Sequence, residues 1–221
     1  MALLLILVFI AAYLFVGVTE VAFEKIGFTR SEFFVILFLT FFGSFVNIPI
    51  TEVHGNESLV YYNEVRFFWG TYRCPTYMKQ RVSTLVTINL GGAVIPIIVS
   101  IYLLASHPSL IGYSLVGVIF SSIVVRLVSR EETGVGVVTP VFVPPIAAAL
   151  ISLLIYHGAG VAVIAYVTGT LGALIGADLS RLSSITKLRA PIVSIGGAGT
   201  FDGVFLTGII AVLLVSIISI L

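Results

Sequence analysis

The chain has 221 residues, of which 59% are hydrophobic and 10% charged, with a formal net charge of +1 and a mean hydropathy of +1.19. Soluble domains carry about 25% charged residues, so this composition excludes a protein that is hydrated on all sides. The nearly neutral charge gives no basis for binding nucleic acid. We therefore expect a single transmembrane domain over residues 1–221, held in the lipid bilayer of the cell membrane.

A helix needs about 20 mostly apolar residues to cross a bilayer. Seven uncharged stretches come close to this length or exceed it, which predicts an all-α, multi-pass protein of about seven transmembrane helices. In chain order they are Ala2–Val18, Phe33–Ile50, Val82–Ser106, Pro108–Val125, Thr133–Tyr156, Gly158–Ala177 and Gly203–Leu221. The first stretch is interpreted as a retained helix rather than a signal peptide, because no Lys or Arg precedes Lys25.

The fifth stretch contains three prolines close together, Pro140, Pro144 and Pro145. Proline lacks an amide donor and clashes with a continuing helix. The pattern predicts an irregular segment followed by a helix that starts near Pro144.

The orientation follows from the basic residues beside the spans, because cytosolic loops carry an excess of Lys and Arg. Two basic residues, Lys25 and Arg30, lie on the side opposite the N-terminus. The other nine fall in the loops on the N-terminal side: Arg66, Arg73, Lys79, Arg81, Arg126, Arg130, Arg181, Lys187 and Arg189. The sequence therefore predicts a cytosolic N-terminus.

Residues 51–81 are expected to form a cytosolic or interfacial loop. The segments Leu59–Tyr62 and Val65–Trp69 flank Asn63-Glu64 and predict a short hairpin there. Aromatic residues are concentrated in the loop and favour the headgroup level of a bilayer. The same residues would also suit a surface that grips a substrate. Cys74 is the single cysteine, so no intrachain disulfide can form.

Residues 178–202 are expected to form a second cytosolic loop. Leu179, Leu182 and Ile185 recur every three residues, which predicts a short helix over 179–188 on the membrane surface. Ala190–Phe201 is uncharged, rich in glycine and too short to span. We expect this segment to be re-entrant or tucked between helices, since irregular backbone at membrane depth needs protein or a water-filled cavity around it.

Asp178 and Asp202 are the candidate catalytic residues, because they fall at the facing ends of the sixth and seventh predicted helices. Consecutive helices are usually neighbours. Two close carboxylates share one proton, so one acts as a base and the other as an acid. The alternative is structural: Asp202 would cap the seventh helix, and Asp178 would cap the surface helix, paired with Arg181.

Polar and glycine-rich positions on the same side are candidates for positioning a substrate or an ion: Asn89, Gly91, Gly92, Pro144, Gly197, Gly199, Thr200 and Gly203. Gly172 and Gly176 form a pair of small residues that predicts close helix packing. The three histidines lack the spacing of metal ligands, so we predict neither a metal site nor a cofactor.

The motifs Asn89-Leu90-Gly91-Gly92, Gly176-Ala177-Asp178-Leu179 and the run from Gly196 to Gly208 resemble the prokaryotic membrane family catalogued as domain of unknown function 1614. The resemblance covers most of the chain and implies a multi-helix membrane protein. It implies no particular activity.

The order of Asp178 and Asp202 is also similar, more loosely, to the presenilin and signal-peptide-peptidase group of intramembrane aspartyl proteases. That resemblance implies two catalytic aspartates in the sixth and seventh helices, both towards the cytosol. The group's Gly-x-Gly-Asp motif is absent here, because Thr200 and Phe201 separate Gly199 from Asp202.

Three functions remain open from the sequence. The first is an intramembrane hydrolase that acts on a membrane-peptide substrate through Asp178 and Asp202. The second is a transporter or channel coupled to protons or small cations, with broken helices along its pathway. The third is a non-catalytic membrane scaffold that binds its partner through residues 51–81.

Overall fold

The computed structural model describes residues 2–67, 70–132, 136–182, 190–197 and 203–219, with the backbone alone for residues 2–3 and 55–82. It is mostly helical, as predicted. The seven helices of the described residues are α1 (Ala2–Lys25), α2 (Arg30–Gly43), α3 (Ile95–Ser106), α4 (Ile111–Val128), α5 (Val143–Ile155), α6 (Val161–Ala173) and α7 (Gly203–Ile218).

Three helical segments of the described residues are long and apolar enough, by length and composition, to cross a membrane. They are Leu4–Lys25, Pro108–Val128 and Val161–Leu182. The remaining apolar helices are shorter. Among these, α5 starts at Val143, which confirms the predicted irregular segment and helix start near Pro144.

A long β-hairpin corrects the all-α prediction. Strands β1 (Asn47–Phe67) and β2 (Gly70–Asn89) pair antiparallel over their whole length. The predicted spans Phe33–Ile50 and Val82–Ser106 were therefore wrong where they included Asn47–Ile50 and Val82–Asn89. Asn47–Ile50 contains two isoleucines, and five of the residues of Val82–Asn89 are Val, Thr or Ile, which favour strands. The Pro49 ring also opposes a helix.

The hairpin reverses between Phe67 and Gly70, which are paired with each other. The predicted turn at Asn63-Glu64 was wrong, because Asn63 pairs with Cys74 inside the ladder. Aromatic and β-branched residues continue beyond Asn63, and these favour extension of the strands.

Three further short strands lie among the described residues. β3 (Arg130–Glu132) and β4 (Gly136–Val138) form a small antiparallel pair before α5. β5 (Ile192–Ile195) runs parallel to residues Leu85–Ile88 of β2. Its last residue, Ile195, is buried among side chains at the ends of α6 and α7. The described part of the predicted segment, residues 190–197, is thus tucked against helices, one of the two predicted arrangements.

Helix α6 lies at the centre of the bundle. Nearly all its residues are buried, and it packs against α3, α4, α5 and α7. Tyr166 of α6 meets the α1 ring of Phe23, with centroids 6.1 Å apart, and Phe23 also contacts Phe28, Phe33 and Phe205. This aromatic cluster, defined by those five residues, joins α1, α2, α6 and α7 at the core.

The small residues of α6 explain its close packing. A Cβ at Gly172 would lie 2.5 Å from Ser121 Oγ, and one at Gly176 would lie 2.6 Å from the Ser122 carbonyl oxygen, both on α4. The predicted packing role of the Gly172 and Gly176 pair is confirmed, and its partner is a helix of the same chain.

A π-helical turn, Leu90–Val94, connects β2 to α3 and packs on the end of α2. Gly91 sits at this contact: a Cβ there would overlap the Thr40 carbonyl oxygen and lie 2.5 Å from the Ser44 nitrogen. Only a residue without a side chain allows the two backbones to approach so closely.

We expect Gly91→Ala to lower the free energy of unfolding by about 1–3 kcal/mol or more, the usual cost of overpacking a core. Thermal unfolding of the detergent-purified protein measures this. The matched control is Gly112→Ala on α4, where a Cβ meets nothing within 4 Å. The control should be neutral or stabilising, and equal melting temperatures for the two variants would contradict the proposed contact.

Candidate functional site

The candidate site is a cavity of about 300 Å³ at one end of the bundle. Its walls come from the turn after α6, the start of α7, the proline-rich segment before α5, and strand β5. The lining is mostly apolar and has two charged residues, Asp178 and Arg181, among the described residues. Pockets of this kind, with a few convergent polar groups, are typical of small-ligand and ion sites.

Asp178 reaches the cavity because α6 does not end as a regular helix. A π-helical turn, Leu174–Asp178, continues from Ala173 and ends at the aspartate. Such turns occur frequently at functional sites. The half-buried carboxylate accepts a hydrogen bond of 2.7 Å from the Gly196 backbone N–H.

Gly196 follows β5 directly and has a φ of +80°, a conformation that favours glycine. A Cβ at this position would lie 2.6 Å from Ala93 in the π-helical turn before α3. The conformation and the crowding together explain why glycine occupies the position that holds the Asp178 carboxylate.

Arg181 is the second charged group of the cavity. Its Nη1 forms an ion pair with Glu131 Oε1 at 2.9 Å. Its Nη2 donates to the carbonyl oxygens of Arg126 at 2.9 Å and Ser129 at 2.5 Å. Because a carboxylate and two carbonyls hold this guanidinium, its charge is balanced by its own partners, and it fixes the α4–β3 connection against the turn after α6.

Three hydroxyl residues complete the polar lining: Thr139, Ser194 and Thr207. Ser194 Oγ donates to Asn47 Oδ1 at 2.8 Å. Thr207 Oγ1 donates to the Gly203 carbonyl oxygen at 2.5 Å. Thr139 Oγ1 shares a hydrogen bond of 2.7 Å with Ser129 Oγ.

The predicted site residues fall into three groups. Asp178, Pro144, Gly197 and Gly203 line the cavity together. Asn89, Gly91 and Gly92 lie outside it, at the junction of α2, β2 and the turn before α3. Gly199, Thr200 and Asp202 lie outside the described residues, as does most of the predicted surface helix over 179–188, of which residues 179–182 form a 3₁₀ turn.

Asn89 holds that junction together. Its Oδ1 accepts from the Gly92 N–H at 2.7 Å, and its Nδ2 donates to the Ser44 carbonyl at 2.7 Å and to Asn47 Oδ1 at 3.0 Å. Asn47 in turn accepts from Ser194, which lines the cavity. Asn89 therefore supports the cavity wall through Asn47 and does not face the cavity itself.

Sequence reasoning missed the ion pair of Arg181 with Glu131 and the lining hydroxyls. Two of the lining hydroxyl residues could have been found from the sequence, because Thr139 and Thr207 are polar residues inside predicted apolar spans. The ion pair had no such signal, because its two residues are 50 positions apart.

These features define the class: a mostly helical protein with apolar helices of membrane-spanning length and a mostly apolar cavity, with a half-buried carboxylate, beside a π-helical turn. The chain belongs to the family described as "protein of unknown function (DUF1614)", whose sequence model matches residues 41–214. That range includes every lining residue of the cavity. No curated protein and no solved structure matches the chain, so the looser likeness to presenilin-type proteases has no support from these comparisons.

Proposed function

We propose that the chain is a multi-pass protein of the cell membrane that transports a proton or small cation through a site at Asp178. In this proposal the seven helices cross or enter the bilayer, with the N-terminus in the cytosol and the cavity opening towards the cytosolic side. The observation that carries the proposal is the half-buried Asp178 carboxylate in the 300 Å³ cavity.

The outer surface of the bundle supports a membrane setting. Large apolar side chains face outward along α1, α2, α3 and α4, for example Phe9 (73% exposed), Phe38 (60%), Ile101 (59%) and Ile119 (57%). Contiguous apolar surface of this extent is unfavourable in water and marks contact with lipid or protein.

Charge and backbone geometry support ion binding. Ionisable groups at membrane depth are costly and are typically functional. Since Arg181 is held by Glu131 and two carbonyls, Asp178 supplies negative charge for a cation. The site lies where α6 passes into a π-helical turn and where irregular backbone follows β5. Transporters also place their ion sites where regular helix is interrupted.

A second candidate function is intramembrane hydrolysis by Asp178 and Asp202. The observation that favours it is that Asp178 and Gly203, the residue after Asp202, line the same cavity. In such a mechanism one carboxylate takes a proton from water as the water oxygen attacks the carbonyl carbon. The other carboxyl gives its proton to the carbonyl oxygen.

One experiment separates the two candidates. The purified protein is reconstituted in liposomes, and a pH-sensitive dye and cation-sensitive dyes follow flux under imposed gradients. A gradient-dependent flux supports transport. No flux for protons or any tested cation, together with saturable labelling by a photoreactive hydroxyl-bearing transition-state analogue that Asp178→Asn and Asp202→Asn both abolish, would replace transport by hydrolysis.

A further inference from the structure

The cavity around Asp178 carries one unbalanced negative charge among its described lining residues. Asp178 and Arg181 are the charged side chains of that lining, and the Arg181 guanidinium forms an ion pair with Glu131 at 2.9 Å. A monovalent cation would therefore balance the charge of the cavity. A divalent metal ion would leave an excess positive charge in a mostly apolar space, which is costly because such a charge is desolvated without a partner.

The size of the cavity favours an organic ion over a bare one. Its volume is about 300 Å³, whereas one water takes about 30 Å³ in the liquid, so a molecule of roughly ten non-hydrogen atoms has room. A proton needs no such space. A metal ion loses its hydration shell unless oxygen ligands replace it, but the described side-chain oxygens of the lining come from four separate elements: the Asp178 carboxylate and the hydroxyls of Thr139, Ser194 and Thr207.

The walls suit an alkyl group. Val125 of α4, Ile195 of β5 and Val204 of α7 are buried and line the cavity from three directions. Each CH₂ group that moves from water onto such a surface is worth about fourfold in affinity. An ion with a short apolar body would therefore gain from contacts that a hydrated metal ion does not use.

The cavity is also open to the outside of the bundle. Val141 of the proline-rich segment and Ile192 of β5 line it as well, yet they are 66% and 56% exposed. The entrance thus lies between these two segments and has apolar edges. An ion with an alkyl body can enter there without crossing the packed helices.

We propose that the Asp178 cavity binds a small monovalent organic cation, an ammonium group on a short alkyl body. The inference rests on the proposed transport function and names the substrate class of the same site. The positive group lies against the Asp178 carboxylate, and the alkyl body lies against the buried apolar wall. The hydrogen bond of 2.7 Å from the Gly196 N–H occupies one acceptor position of the carboxylate, which has about four, so the others remain available.

Calorimetric titration of the detergent-purified protein tests the binding. The probe is butyltrimethylammonium, and tetramethylammonium is the same ion without the chain. We expect butyltrimethylammonium to bind saturably and about 10- to 60-fold more tightly, because it adds three CH₂ groups. Asp178→Asn should weaken the binding about tenfold or more, whereas Glu132→Gln, at an exposed residue outside the lining, should not. Equal binding by the Asp178→Asn and wild-type proteins would overturn the inference.

A larger side chain in the wall tests where the alkyl chain lies. Ala177 lines the cavity beside Asp178, and Ala177→Leu would fill part of the space. This variant should bind butyltrimethylammonium about tenfold more weakly or worse, as overpacking predicts, and should still bind tetramethylammonium. The control is Ala12→Leu on the exposed surface of α1. Unchanged binding of butyltrimethylammonium by folded Ala177→Leu protein would contradict the proposed position of the chain.

Uptake by liposomes then separates this inference from the transport proposal. Butyltrimethylammonium is permanently charged, so it does not cross lipid in a neutral form, and its radiolabelled form can be followed directly. Gradient-dependent uptake that Asp178→Asn abolishes would support both proposals. Flux of protons or alkali-metal ions in a protein that does not bind butyltrimethylammonium would overturn the substrate class and leave transport standing. Binding without flux of this or any other ion would overturn transport and leave the binding site.

Discussion

Asp178→Asn is expected to abolish proton-coupled flux in liposomes, because an amide cannot take up and release a proton. If the transported ion is a metal cation, the flux should fall by about 10- to 150-fold. Interactions with a charged group are worth about 1.5–3 kcal/mol, and each 1.4 kcal/mol is a factor of ten. Dye-based flux measurements at several imposed gradients provide the readout.

The fold should tolerate this substitution. The Asn side chain retains an oxygen that can accept the 2.7 Å hydrogen bond from the Gly196 N–H. The matched control is Glu132→Gln, which makes the same chemical change at an exposed residue of β3 that does not line the cavity. The control should transport as the wild type does. Full flux in monodisperse Asp178→Asn protein would exclude Asp178 as the coupling residue.

Asn89→Asp is expected to produce the largest loss of stability. Asn89 is 1% exposed, and its Nδ2 donates to two acceptors, the Ser44 carbonyl and Asn47 Oδ1. An aspartate at position 89 would instead place a carboxylate oxygen, which cannot donate, against both of these acceptors. The Ser44 carbonyl belongs to a buried residue, and leaving it without a donor costs about 1–3 kcal/mol. Repulsion between the new carboxylate oxygen and Asn47 Oδ1 adds to this cost, so the free energy of unfolding should fall by more than about 1–3 kcal/mol, which thermal and SDS-induced unfolding would measure.

Asn47→Asp is the control for this change. Asn47 is exposed, and its Oδ1 only accepts, from Asn89 and from Ser194. An aspartate retains that acceptor, so the variant should unfold within about 1 kcal/mol of the wild type, as most surface substitutions do. If Asn89→Asp were as stable as Asn47→Asp, the junction would not depend on the Asn89 amide.

The long hairpin shows where prediction from apolar stretches fails. Phe33–Ile50 and Val82–Ser106 contain enough apolar residues to be counted as spans, but a hydropathy window does not distinguish a helix from a buried strand. The distinction required the pairing of residues 47–49 with residues 87–89, which lie about 40 positions away, and the packing of Thr84 and Val86 into the core. Both are tertiary contacts.

The candidate site could be predicted only in part, because the partners of its polar residues are also set by tertiary contacts. Asp178 was identified because a carboxylate at the end of an apolar stretch is costly, and that cost can be read from the sequence. Asn89 was also singled out, but as a residue that positions a substrate. Its amide turned out to be used by Gly92, Ser44 and Asn47. A polar residue in an apolar segment shows that a partner exists without showing which one.

The sequence by itself determined the apolar character, the seven helices, the irregular segment before α5 and the place of Asp178 at the end of an apolar stretch, since each depends on local composition or on the covalent limits of proline. Only the tertiary structure decided that β5 pairs with β2, that Gly196 donates to Asp178, and that Arg181 is held by Glu131. These contacts join residues far apart in the chain, and their geometry depends on how whole elements pack.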